Sequence, residues 1–107
     1  MYKREGNYMS LDPIVAMNGV SPDMSRQQLI DVAYNARCGL ARRLALVYLK
    51  DPILTEIFAK SDPDPVVRRR LVRELKDVDL LNEIYEKEWD ASVKQSIRKR
   101  LEELEKK

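Results

Sequence analysis

Aspartates suited to capping helices recur at a fixed spacing: Asp51 and Asp77 are 26 residues apart, and so are Asp64 and Asp90. Asp51 and Asp64 are each followed by proline, which fits the first position of a helix because its missing N–H would have no partner there. Ser25 with Gln28 adds a capping-box pair in which each side chain can serve the other residue's backbone N–H. The same 26-residue offset brings apolar positions into line. Val32, Phe58 and Ile84 coincide, as do Ala33, Ala59 and Tyr85; a second set aligns Ala41, Val67 and Val93, then Ala45, Leu71 and Ile97, then Leu49, Leu75 and Leu101. The last three triplets are four residues apart within each segment, so they mark one apolar helix stripe.

Caps and stripes sharing one period predict three helical hairpins, roughly 25–36 with 39–50, 52–61 with 65–76, and 78–88 with 91–104. The first helix of each pair is called A and the second B. A hairpin alone leaves one apolar face uncovered, so the expected fold is all-α: an α-solenoid of about three stacked antiparallel hairpins. Ahead of them, Asp12, Pro13 and Gly19 bracket a short helix near 13–18 expected to cover the open end of the first hairpin. The expected division is 1–24, an N-terminal tail and short capping helix with residues 1–9 mobile, and 25–107, the helical repeat domain.

Composition narrows the function. Of 107 residues 44% are hydrophobic and 36% charged, enough for one modest core. There is no histidine and one cysteine, Cys38, so neither an internal disulfide nor a zinc site can be assembled, and the commonest general base is missing. The three glycines form no phosphate-cradling loop. These features argue against an enzyme, and no catalytic residue, metal ligand or cofactor-binding residue is expected. No run is long and apolar enough to cross a membrane, and the N-terminal stretch lacks the apolar core of a secretory signal, so a cytoplasmic setting with no membrane partner is expected.

The segments "DPDPVVRRRLVREL" (62–75) and "DASVKQSIRKRLEEL" (90–104) resemble the second helix of HEAT-type repeats. The shared pattern is a turn Asp, a Val-Arg or Val-Lys pair, and apolar residues four and eight beyond the Val. It reads Asp64, Val67-Arg68, Leu71, Leu75 in one copy and Asp90, Val93-Lys94, Ile97, Leu101 in the other. The short period is closer to the leucine-rich repeat variant, a HEAT-like relative. The resemblance covers residues 25–104, and its first copy departs from the pattern, with Cys38 at the turn position before Ala41-Arg42. Some proteins of that type carry an iron-sulfur cluster in a cysteine-rich part, and a single Cys cannot carry it over. The resemblance implies protein binding through the B helices, with nucleic acid as partner in a minority.

At the 26-residue offset Arg42, Arg68 and Lys94 form a column of cations. The resemblance implies that such a column bonds the turn aspartates of neighbouring repeats, a ladder of Arg42, Asp64, Arg68, Asp90 and Lys94. Arg69, Arg70 and Arg73 have no repeat-wide equivalent and fall off the Val67/Leu71/Leu75 stripe, which leaves two readings open, an ordinary solvated face and a contact surface. Charge segregation bears on the choice. The B segments 39–50, 64–76 and 91–107 each carry +3, whereas 51–62 carries −2 and 77–90 carries −5. With Arg43 and Lys99 these arginines form a candidate surface for an acidic protein, or alternatively for nucleic-acid phosphates. The acidic patch around Glu83, Glu86, Glu88 and Asp90 and a pI near 8.7 weigh against nucleic acid, while Tyr48 could stack beside Arg42 or Arg43. Trp89, in the last A-to-B turn, is expected as a lid over the apolar seam, with an exposed anchor as the other reading. Gln95, Arg98 and Glu102 read as a C-terminal cap or as a docking edge for a second copy, and Cys38 as a small apolar residue.

Overall fold

A computed structural model describes residues 7–106, and among them all regular structure is helical. Seven helices follow in order: α1 (Pro13–Asn18), α2 (Arg26–Asn35), α3 (Gly39–Leu49), α4 (Pro52–Ser61), α5 (Pro65–Val72), α6 (Val78–Lys87) and α7 (Ala91–Glu105). Backbone proximity groups α1–α3 into one unit ending at Asp51 and α4–α7 into a second beginning at Pro52. The boundary read from the sequence at 24/25 lies inside the first unit, because α1 packs against α3. Among the described residues no helix is long and apolar enough to cross a membrane.

In the first unit α2 and α3 form a hairpin. Ser25 and Gln28 complete the capping box, with bonds of 3.1 Å from the Gln28 amide to the Ser25 hydroxyl and 2.9 Å from the Ser25 amide to the Gln28 side chain. Asp12 caps α1 by accepting from the amides of Ile14 and Val15. The core gathers Ala16, Leu29, Val32, Ala33, Ala41, Ala45 and Leu46. Cys38 is buried at the junction of α2 and α3, as its apolar reading requires.

Residues 1–6 of the expected mobile tail lie outside the described residues, whereas residues 7–9 are tied down. The Asn7 amide donates to the Val15 carbonyl at 3.1 Å, and the Tyr8 hydroxyl donates to Asp31 of α2 at 2.6 Å. The Asp31 hydrogen bond, with burial and the Asp31 charge adding to it, holds the Tyr8 phenol above its ordinary pKa. Gly19 makes this segment possible, because a Cβ there would strike the Tyr8 backbone nitrogen and come within 2.8 Å of the Asn7 carbonyl carbon. Gly19→Ala is therefore expected to cost about 1–3 kcal/mol, read from the midpoint of urea unfolding.

In the second unit α4 pairs with α5, α6 with α7, and α5 lies along α7. The two B helices pack through the positions aligned by the 26-residue period: Val67 and Val93 are buried, as are Leu71 and Ile97, while Leu101 at the far end is half-buried. Phe58, Ala59, Leu81 and Ile84 complete the core from the A helices. α5 ends at Val72, four residues short of the span read from the sequence. Its last turn tightens into i to i−3 bonds from Glu74 to Leu71 and from Leu75 to Val72, which frees Asp77 to take the extended backbone of a cap and accept the Leu80 amide. Arg100 of α7 reaches across to donate to the Leu75 carbonyl at 2.8 Å, satisfying one acceptor beyond the end of α5.

Candidate functional site

The site is built on the N-terminal turn and outer surface of α5 and on their counterparts in α7. Asp64 caps α5 through the Val66 amide and Asp90 caps α7 through the amides of Ser92 and Val93. Each cap is itself held by an acid two residues earlier: Asp62 accepts the Asp64 amide at 2.9 Å, and Glu88 accepts the Asp90 amide at 3.0 Å. The turn aspartates are thus committed to their own helices, and the expected ladder from the cation column to Asp64 and Asp90 is not what forms in the second unit.

Arg68 instead meets Glu88. Its Nε and Nη2 donate to the two carboxylate oxygens at 3.0 and 2.9 Å, while Nη1 donates to the Asp62 carbonyl at 2.6 Å. Arg68 and Glu88 are 4% and 7% exposed, so this is a buried, bidentate pair in which every guanidinium nitrogen donates, and it ties the second hairpin to the third. The acid stands two residues ahead of Asp90, whose own carboxylate is taken by the amides of Ser92 and Val93. Arg42 repeats the backbone part of the arrangement, donating to the Ala36 carbonyl at 2.9 Å from six residues on, as Arg68 does to Asp62. Lys94, third in the column, departs: its ammonium lies 5.1 Å from the centroid of the Tyr85 ring. Arg98 lies over the same ring at 5.3 Å and donates to the Tyr85 hydroxyl.

The Asp90 carboxyl sits below its ordinary range, chiefly because the Ser92 hydroxyl donates to it, with the Val93 amide and the Arg68 charge acting in the same direction. A carboxyl with a depressed folded-state pKa contributes stability that is present above the unfolded value and lost as pH falls through the folded one. The thermal midpoint is therefore expected to fall less between about pH 6 and pH 3 in Asp90→Asn than in the parent.

The remaining arginines behave otherwise. Arg70, Arg73 and Lys99 are exposed and Arg69 is half-buried, and none of the four has an ion pair or a side-chain hydrogen bond among the described residues. Arg73, the C-cap of α5, and Lys99 of α7 are 26 residues apart and hold the same register position. Arg69 and Arg70 lie in the last turn of α5, where the helix dipole favours cations, but Arg69 and Arg73 are four residues apart and repel. Arg43, in the first unit, is half-buried with its Nε buried and unpartnered. Tyr48 is half-buried on α3.

Trp89 is not a lid over the seam. It is 75% exposed and rests over the Arg68 guanidinium, 5.3 Å from Cζ to the ring centroid. A small cleft of about 130 Å³ is lined by Lys60, Glu83, Ile84, Lys87 and Glu88, and another of about 270 Å³ lies beside Tyr8, Met24, Gln27, Gln28 and Asp31. Among the described residues no group of three potential metal ligands comes together. Trp89 takes the exposed reading that the sequence also offered, and the residue that periodicity missed is Glu88, the partner of Arg68. The signal for Glu88 was present, since Asp62 and Glu88 are 26 apart and each stands two residues ahead of a capping Asp. Comparison of the chain with family models, with curated proteins and with solved structures gives no match.

Proposed function

We propose that this chain is a small HEAT-like α-solenoid of three hairpins that works as a non-enzymatic protein-interaction module and presents a basic B-helix face to an acidic surface of another protein. The observation that carries the reading is the set of four cations, Arg69 and Arg70 on α5, Arg73 at its C-cap and Lys99 on α7, that no acid of their own unit pairs with among the described residues. Arg68 and Arg100 on the same two helices are each held by hydrogen bonds and an ion pair within the unit. The contrast divides one helix surface into an inner part that binds the fold and an outer part left for a partner. Exposed arginines of this kind steer an acidic partner and hold it through charge-assisted bonds. Arg43 holds the register position of Arg69 one period earlier in the chain.

The second reading, phosphate binding, is favoured by the cation-flanked Tyr85 ring and the open Trp89, since aromatic rings among cations suit unpaired bases. Titration with polyglutamate, duplex DNA and single-stranded DNA separates the two. Polyglutamate is expected to bind at low salt and to weaken at least about tenfold in Arg69→Glu with Arg73→Glu. Tighter binding of either DNA at about 150 mM salt would replace the protein partner with nucleic acid, and binding of none would leave the face as solvated charge.

A further inference from the structure

The basic face and the acidic side of the second unit are complementary, yet they do not meet within one molecule. Segment 77–90 carries −5, with Asp79, Glu83 and Glu86 exposed; Asp79 and Glu86 have no ion pair among the described residues, and Glu83 has only the 3.8 Å contact to Lys60. Arg69, Arg70, Arg73 at the end of α5 and Lys99 on α7 equally have no ion pair among the described residues. A charge pattern left unpaired among the described residues of one unit is open to satisfaction between chains.

Trp89 supplies the chemistry at the acidic end. Its indole already carries one guanidinium, that of Arg68, which three hydrogen bonds hold in place. The aromatic ring is therefore positioned before any partner arrives, and at 75% exposure most of it remains open. An open indole next to a run of acids is the surface an arginine prefers, since the ring takes the guanidinium face and the carboxylates take its edge.

We propose that the partner of the arginine face is a second copy of this chain, docked through its own Trp89 and the acids of α6. The proposal rests on the basic-face reading above and names its occupant. Because the two patches differ, the contact is heterologous: each docked pair keeps one free patch of each kind, and association is head-to-tail and open-ended unless it closes into a ring. It is held by screened charges, so it belongs to low and moderate ionic strength.

The test is sedimentation velocity on the full chain at about 30 mM and about 500 mM salt, with emission from Trp89, the chain's only tryptophan, as a local reporter. The parent is expected to sediment as concentration-dependent oligomers at low salt and as monomer at high salt, and Trp89→Ala to weaken association about tenfold. Arg69→Glu with Arg73→Glu, and separately Glu83→Lys with Glu86→Lys, are each expected to be monomeric at low salt. Mixed one to one, the two variants restore association and shift the tryptophan emission, because each supplies the patch the other needs. A parent that stays monomeric at low salt, or a mixture that stays monomeric, overturns the self-pairing. Polyglutamate binding to the parent, abolished by the arginine reversal, distinguishes the two failures: if present it preserves the basic-face reading, and if absent both fall.

Discussion

Glu88→Ala is expected to lower the free energy of unfolding by about 3–5 kcal/mol, because it leaves the Arg68 guanidinium buried without its counter-charge. The carboxylate accepts three hydrogen bonds, two from Arg68 and one from the Asp90 amide, and both side chains of the pair are nearly inaccessible, at 5% and 3%. A chain of this size has a total stability on the order of 5–15 kcal/mol, so the loss is a third or more of a typical value. Replacing both partners by apolar residues of similar length, Arg68→Met with Glu88→Leu, is expected to cost far less, since no charge is then stranded. Urea unfolding followed by the emission of Trp89, which lies over the guanidinium, measures all the variants. A loss below about 1 kcal/mol in Glu88→Ala would show that the pair is solvated and does not tie the hairpins.

Leu71→Ala and Ile97→Ala are each expected to cost about 2–5 kcal/mol, through lost burial and the cavity left behind. Both side chains are completely buried, and they share one register position on packed helices. Val66, one turn from Arg70 on the outer side of α5, is 40% exposed, and Val66→Ala is expected to fall within about 0.5 kcal/mol of the parent. Calorimetric or urea midpoints on the three variants decide whether the 26-residue stripe is the core, and equal effects at Leu71 and Val66 would deny it.

The stripe and caps were legible in the sequence because both depend on local rules. Asp12, Ser25, Asp64, Asp77 and Asp90 all cap with their side chains, as their residue types and following residues indicated. Four-residue spacing placed Val67 and Leu71, then Val93 and Ile97, in the core. The turns were less readable, since helical periodicity has no meaning there. Trp89 could point inward or outward by spacing alone, and its outward position follows from Arg68, twenty-one residues back in the chain, whose guanidinium lies beneath it. Glu88 was concealed by its neighbours: among Glu83, Glu86 and Asp90 it looked like one more solvated acid. The early end of α5 was hidden because Arg73, Glu74 and Leu75 are all good helix formers, and only the need to start α6 at Asp77 stops them. The folded segment at residues 7–9 depends on a close approach to Gly19, which no local pattern announces.

The candidate site follows the same division. Arg68 was legible as structural because it repeats in register, although its acid was not. Arg69, Arg70 and Arg73 were legible as non-repeating, and their lack of any partner emerged only when every side chain had a place.

The central claim is that α5 keeps its structural and its recognition cations apart. The direct measurement is to make Arg69→Glu with Arg73→Glu and read stability and polyglutamate binding on the same preparation. The account predicts a urea midpoint corresponding to a change within about 0.5 kcal/mol, together with loss of binding at low salt. A variant that unfolds as readily as Glu88→Ala, or one that binds polyglutamate as well as the parent, would contradict it.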